Sequence, residues 1–382
     1  MRVAGDVGFS IGFRHRLRFV RNLFGADVAV LREVLAGGER GSRAVVFIDR
    51  GVAEHHYELP GQIGAVFSNL DGLELDSAPR VVPGGEIIKN DARQLAEILS
   101  AMHAARLCRQ SYVIAIGGGA MLDAVGYAAA LTHRGVRLVR VPSTTLGQAD
   151  SGVGVKNGVN AFNQKNYLGA FAVPWAVLND EALLATLSER DWRCGFAEAV
   201  KVALLKDARL FERIERDAGK IAARDEAAAL PVIRASAVLH RDHITGGGDP
   251  FESGAGRPLD FGHWAAHKLE VLSDYELRHG EAVAIGILLD MEYAAGVGIC
   301  AAALTGRVRT CLERLGFTLW HEALARENEL IDGLEEFRAH LGGPLSITLV
   351  REPSCAIEAG NVDLGALRAA IRRLRDRKAA AA

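Results

Sequence analysis

Residues 112–158 read YVIAIGGGAMLDAVGYAAALTHRGVRLVRVPSTTLGQADSGVGVKNG. The run 112–116 is short, apolar and β-rich and ends on Gly117, Gly118 and Gly119; residues 121–131 carry helical patterning, and 136–141 return to strand. Strand, glycine turn, helix and strand at this spacing make a parallel α/β unit. Glycines at such a handover let backbone N–H groups approach a pyrophosphate at the positive end of the helix. A packing turn would leave the same mark, since the cluster is not G-x-G-x-x-G. Its neighbours favour a nucleotide: Ser143, Thr144, Asp150 and Lys156 crowd after the next strand end, at the edge where open α/β sheets bind ligands.

Working outward, residues 43–49 (RAVVFID) read as another strand, 94–107 as a helix, and the alternation of Phe13, Leu17 and Phe19 with Arg14, Arg16 and Arg18 as an N-terminal strand. From about residue 183 the pattern turns helical, over 189–206, 208–221, 227–240 and 280–297. Two stretches rich in Gly, Asn or Asp, 152–169 and 246–257, read as loops. The predicted fold class is α/β plus α: a parallel α/β nucleotide-binding domain over 1–182, then a mostly helical metal- and substrate-binding domain over 183–382.

The 382 residues carry 45 Lys and Arg against 47 Asp and Glu, a net charge of -2, without the basic surplus that non-specific nucleic-acid binding draws on. The arginines near the N-terminus interrupt any apolar run long enough for a signal peptide or a membrane span. Five scattered cysteines (Cys108, Cys194, Cys300, Cys311 and Cys355) form no C-x-x-C pair and read as reduced core thiols of a cytoplasmic protein.

Glu198, His263 and His279 are a candidate metal set, because one carboxylate and two neutral imidazoles suit Zn²⁺ with positions left for substrate oxygens. Spacing alone leaves them three residues among 12 histidines and 47 acids. His267 lies four residues after His263, on one helix face, and reads either as an acid-base partner, with Asp260, or as a core histidine. Trp264 reads as packing. Lys201, three residues after Glu198, would lie beside it, as a cation near the metal or as a surface ion pair. Lys156, Lys165 and Asn166, with Arg134, could clamp a phosphate; solvated loop lysines are the alternative.

Taken together, the 112–158 stretch, KNYLGAF (165–171), FAEAVK (196–201), DFGHWAAHKLE (260–270) and HGEAVAIGI (279–287) resemble the dehydroquinate synthase-like sugar phosphate cyclases. RPLDFGHWAAHKLE is most similar to the Ebo-operon branch. The resemblance implies NAD in the first domain, Zn²⁺ or Co²⁺ in the second, a homodimer, and an active site in the cleft between domains. By position it implies Glu198, His263 and His279 as metal ligands. Its NAD shell is Asp49, Glu86, Lys89, Gly117, Gly118, Gly119, Asp123, Ser143, Thr144, Leu146, Asp150, Ser151 and Thr186, with Lys165 beside the cofactor. Lys156, Asn166, Lys201 and His267 would face a phosphorylated ketose, and Arg134 would reach the neighbouring subunit's phosphate. The chemistry implied is transient oxidation of a secondary alcohol, β-elimination of phosphate, reduction, and intramolecular aldol closure to a cyclitol.

Two departures bear on the substrate. Dehydroquinate synthase places an asparagine where this chain has Asp260, and holds a substrate carboxylate with a lysine and an arginine; residues 235–258 here contain no lysine, only Arg241 and Arg257 as strong cations. The valiolone-forming cyclases commonly carry proline at the position of His267. The expectation is a cyclase for a ketose phosphate without a carboxylate, sedoheptulose 7-phosphate foremost, with dehydroquinate synthase as the alternative. A metal-dependent alcohol dehydrogenase would share the two-domain plan, but has no need of the Lys156, Lys165 and Asn166 loop.

Overall fold

The computed structural model describes residues 6–36, 42–162, 164–247, 250–251 and 258–381. In the first half, strands β1 (Leu17–Val20), β2 (Ser42–Asp49), β3 (Leu73–Leu75), β4 (Arg80–Val82), β5 (Tyr112–Gly117), β6 (Arg137–Pro142) and β9 (Ala176–Asp180) form one sheet. Its order is β1-β9-β6-β5-β2-β3, with β4 also on β2, and every pair is parallel. Helices α1 (Val28–Leu35), α2 (Arg50–His55), α3 (Leu59–Phe67), α4 (Ile87–Asn90), α5 (Ala92–Ala104) and α6 (Gly119–Leu131) connect the strands. A parallel strand needs such crossovers and is covered on both faces, which is why β5 reads as a continuous apolar run, all of it buried. Leu31, Ile63 and Phe67 pack on one face, and Ile98, Met102, Met121 and Leu122 on the other. Full burial of such a side chain contributes about 1.5–3 kcal/mol.

The 152–169 stretch is not loop throughout: β7 (Lys156–Ala161) and β8 (Gln164–Phe171) form an antiparallel hairpin pairing Lys156 with Phe171 and Val159 with Leu168. Most of β8 is exposed, so its residues show no alternation of apolar and polar; the backbone ladder, not a buried face, makes the strand. The hairpin is anchored by Arg140 of β6, a fully buried guanidinium that donates to the carbonyls of Gly154 (3.0 Å) and Lys156 (2.9 Å) and to Asn157 Oδ1 (2.5 Å).

The second half contains α7 (Glu189–Lys206), α8 (Ala208–Ala222), α9 (Glu226–Gly246), α10 (His263–Leu272), α11 (His279–Gly296), α12 (Ala302–Arg314), α13 (Glu327–Leu341), the antiparallel pair β10 (Ile347–Glu352) and β11 (Cys355–Ala359), and α14 (Leu364–Ala381). Helix α11 is buried along nearly its whole length, which explains the apolar run from Ala282 to Leu289 on every face. Helix α7 is locked to the sheet by close approach. A Cβ on Gly195 would come within 2.3 Å of the Thr145 carbonyl carbon, while Thr145 Oγ1 donates to the Trp192 carbonyl at 2.8 Å. Glu198, one turn further along α7, is therefore fixed relative to the sheet edge. All five cysteines are free; Cys194, Cys300 and Cys311 are buried, but Cys108 is exposed, against the expectation of core thiols throughout. Among the described residues no helix is long and apolar enough to cross a membrane.

Candidate active site

Helices α7, α10 and α11 bring Glu198, His263 and His279 together. Glu198 Oε1 lies 3.1 Å from His279 Nε2 and 3.3 Å from His263 Nε2, and one donor atom of each residue lies within 4.8 Å of the other two. His263 Nδ1 donates to the Phe261 carbonyl (3.1 Å), which turns Nε2 toward Glu198. His279 Nδ1 meets Glu270 Oε2 at 3.1 Å, the carboxylate support that metal-binding imidazoles characteristically receive. Glu198 is wholly buried, and its Oε2 accepts no hydrogen bond of good geometry, although Lys201 Nζ stands 2.6 Å away. An acid buried so completely needs cations around it. The chemistry of this donor set, with an orphaned carboxylate oxygen, fits a divalent metal.

The charges settle accordingly. Burial works against ionised Glu198, yet Lys201 and His263 hold its carboxyl well below the usual range. Lys201 is buried too, and Glu198, Asp150 and Asp260 together hold its ammonium above its ordinary value. It is no surface ion pair. Burial would lower His279, but Glu270 and Glu198 outweigh it and push the imidazole up to about 9. His267 goes the other way: burial and then His263 take it well below its ordinary value, leaving a neutral ring stacked 5.9 Å from His279. His267, Glu270 and His279 form a second close set of donor atoms, in which Glu270 is already paired with Lys165 at 2.6 Å.

At the end of β5, a Cβ on Gly117 would meet Asp49 Cβ at 2.8 Å and one on Gly119 would meet Ser151 Oγ at 2.6 Å. Ser151 Oγ is buried without a hydrogen-bond partner. Only bare backbone fits between Asp49, Ser151 and the start of α6, and that cradle fits a dinucleotide phosphate. Asp49 accepts from Gly51 N at 2.8 Å, and burial raises its pKa. Thr144 Oγ1 accepts from Gly147 N, Ser143 N donates to the Gly117 carbonyl, and Leu146 packs its backbone against Gly195, so these three shape the turn after β6. Thr186 hydrogen-bonds His56 at 3.0 Å.

The hairpin residues are already engaged. Lys89, almost wholly buried, pairs with Asp123 at 2.9 Å and donates to Asn166 Oδ1; Asn166 N donates to Asn160 Oδ1, and Asn160 Nδ2 to Glu86. Lys165 spans Glu86 (3.5 Å) and Glu270. Lys156 opens β7 with its side chain exposed, and Arg134 is exposed with its backbone in the left-handed region (φ +63°). Asp260 is half-buried beside the cluster; Arg257 lies outside the described residues.

Four residues were missed by the sequence reading. Glu270 follows His263 by seven residues and His267 by three, so the helix face already marked by the histidines could have revealed it. His240, whose Nδ1 lies 2.7 Å from Asp150 Oδ1, and Arg140 leave no local signal. Asp290 accepts from Trp264 Nε1 at 2.8 Å, so Trp264 is not packing alone.

The chain matches the family models described as 3-dehydroquinate synthase N-terminal over residues 80–194 and 3-dehydroquinate synthase C-terminal over 195–335. It is 35% identical over 330 residues to a 3-dehydroquinate synthase of Ruegeria sp. (strain TM1040), covering 85% of this chain and 86% of the relative. It is 34% identical over 339 residues to a 2-epi-valiolone synthase of Actinosynnema mirum, covering 88% and 86%. Its fold superimposes with a TM-score of 0.88 on the solved 2-epi-5-epi-valiolone synthase ValA of Streptomyces hygroscopicus subsp. jinggangensis 5008, which has NAD⁺ and Zn²⁺ bound; identity is 29%, over 98% of this chain and all of that one.

Proposed function

We propose, for a chain that belongs to the dehydroquinate synthase-like sugar phosphate cyclases, that it closes a ketose phosphate lacking a carboxylate, sedoheptulose 7-phosphate foremost, to a cyclitol with elimination of phosphate. Residues 1–182 would hold NAD and residues 183–382 the metal, Zn²⁺ or Co²⁺, on Glu198, His263 and His279. When bound, the two supply reversible oxidation of a secondary alcohol and polarisation of its oxygen. Lys201, kept protonated by Glu198, Asp150 and Asp260, is the donor to a substrate oxygen on which negative charge develops. His267, kept neutral, can accept a hydrogen bond from a substrate hydroxyl. Lys156, Asn166 and Arg134 would hold the phosphate, Arg134 from a partner subunit. Arg257 would stand by the reducing end.

The observation that carries the substrate reading is the charge around Lys201. Glu198 lies 2.6 Å and Asp150 4.0 Å from its ammonium, and Asp260 adds a third negative field. A substrate carboxylate would enter as a fourth. A neutral hydroxymethyl group meets no such repulsion and can donate a hydrogen bond to Asp260. The test is product analysis by NMR after incubation with NAD⁺, Co²⁺ and a panel of phosphorylated ketoses. A cyclitol formed from a neutral ketose phosphate supports the reading; turnover of the carboxylated dehydroquinate precursor alone returns the chain to dehydroquinate synthase.

A further inference from the structure

Helix α10 begins with a ligand and no cap of its own. Gly262 precedes His263 with φ +77°, a left-handed conformation that only glycine adopts freely, and no side chain of α10 accepts from its first turn. The acceptor comes from α11. Asp290 Oδ2 takes the Gly262 N–H at 2.8 Å, and its Oδ1 takes the Trp264 indole N–H at 2.8 Å, so one carboxylate grips the residues on both sides of His263. The Gly262 N–H and the Phe261 C=O belong to one planar peptide unit. That same carbonyl receives His263 Nδ1, at 3.1 Å. Fixing the peptide at its nitrogen therefore fixes the acceptor that sets the ring's tautomer and its aim at Glu198.

Asp290 is not one of the metal set: on α11 it lies eleven residues, about 16 Å along the axis, from His279, and its two oxygens are taken up by the neighbours of His263. It is 1% exposed, with two neutral donors and no cation among its hydrogen-bond partners, an arrangement costly enough that an apolar residue would serve packing better. Close packing confines Gly262 on its other side too: a Cβ on Gly286 would fall 2.1 Å from the Gly262 oxygen, which belongs to the next peptide, Gly262–His263, and one on Gly262 would fall 2.7 Å from the Ile287 nitrogen.

We propose that Asp290 is the positioning residue for His263, acting through the Phe261–Gly262 peptide and Trp264 to set the imidazole for metal binding. This rests on the reading of Glu198, His263 and His279 as a metal site. Three proteins decide it: wild type, Asp290→Asn, which keeps one acceptor oxygen and loses the other, and Trp264→Phe, which removes the indole donor and leaves Asp290 on Gly262. Each is stripped of metal and titrated with Co²⁺ against a competing chelator, the visible Co²⁺ absorption is recorded, and NAD⁺ affinity is measured alongside. Asp290→Asn should weaken Co²⁺ binding about 10- to 100-fold, the range for groups that orient a metal ligand, and alter the Co²⁺ bands, while NAD⁺ binds as in wild type. Trp264→Phe should shift both readouts the same way by less. An Asp290→Asn protein that binds NAD⁺ normally and gives wild-type Co²⁺ affinity and spectrum overturns the proposal. Should Asp290→Asn fail to fold, unchanged Co²⁺ binding by Trp264→Phe overturns it equally. A wild-type chain that takes up no Co²⁺ sinks the metal reading first and this one with it.

Discussion

Lys165, on the β7–β8 hairpin, lies 2.6 Å from Glu270 of α10, and Glu270 in turn holds His279 at 3.1 Å. The hairpin is thereby tied to a candidate metal ligand by two contacts. Glu270 is 3% exposed; burial opposes its ionisation, yet Lys165 and then His279 hold its carboxyl well below the usual range.

Removing one partner of such a pair leaves a buried charge uncompensated, which costs about 3–5 kcal/mol where burial is complete. Lys165 retains 14% exposure and Glu270 keeps His279 beside it at 3.1 Å, so Lys165→Met should destabilise the protein by less than that, roughly 2 kcal/mol, and Lys165→Met/Glu270→Gln should recover part of the loss. Denaturant unfolding checks both. A single mutant within about 0.5 kcal/mol of wild type would show that the pair contributes little.

Chelation should abolish activity, and Zn²⁺ or Co²⁺ should restore it. Glu198→Gln, which exchanges the buried carboxylate for an amide, should bind metal too weakly to copurify with it. Elemental analysis and activity after dialysis against chelator are the measurements. Activity that survives exhaustive chelation with no bound ion would remove the metal from the account.

The parallel sheet was legible in the sequence because it leaves local traces, β5 as a buried apolar run and the glycine cluster as a strand end; Glu198, His263 and His279 were named on the family motifs around them, since spacing alone leaves them three among many. The hairpin was not legible, since most of β8 buries no face that could impose a period on its residues. Glu86, Lys89, Asp123, Lys165 and Asn166 were named separately, but their joining through Asn160 into one network is tertiary and no spacing encodes it. Asp290 was silent for the same reason: it is one of three acids on α11, with Glu281 and Glu292, and its partners lie 26 and 28 positions earlier.

Turnover by an internal redox cycle needs NAD⁺ yet returns it. Inorganic phosphate should therefore appear one-for-one with product while nicotinamide absorbance shows no net NADH. NADH accumulating in step with substrate, without phosphate, would place the chain with the dehydrogenases instead.

Asp290 gives a pH signature. Burial pushes it up to about 7, the hydrogen bonds from Trp264 and Gly262 offsetting only part of the rise from 3.8. Between those values the folded state binds more protons than the unfolded chain, so this contribution to stability is full below about pH 4 and is lost as pH rises through 7. Asp290→Asn does not titrate. The stability of metal-free wild type relative to this variant should fall between pH 4 and 7, by up to about 4 kcal/mol for some three pKa units. A difference that stays flat across that window in denaturant melts would mean that Asp290 is ionised throughout.

The last prediction concerns Asp260. Like charges about 4 Å apart repel by roughly 4 kcal/mol at an effective dielectric near 20, whereas a hydroxyl donating to a carboxylate gains roughly 1.5–3 kcal/mol. A ten- to hundredfold preference in kcat/KM needs only about 1.4–2.7 kcal/mol, so the charge of one residue is enough to choose between a neutral and a carboxylated substrate. Sedoheptulose 7-phosphate should be turned over better than the carboxylated precursor of dehydroquinate. Asp260→Asn should narrow the gap from both sides: it weakens the hydrogen bond to the hydroxymethyl group and lifts the repulsion of the carboxylate. The change should fall on the ratio of the two kcat/KM values, while the Co²⁺ and NAD⁺ affinities stay as in wild type, because Asp260 is in neither the metal set nor the nucleotide cradle. An unchanged ratio in Asp260→Asn would remove Asp260 as the selecting charge.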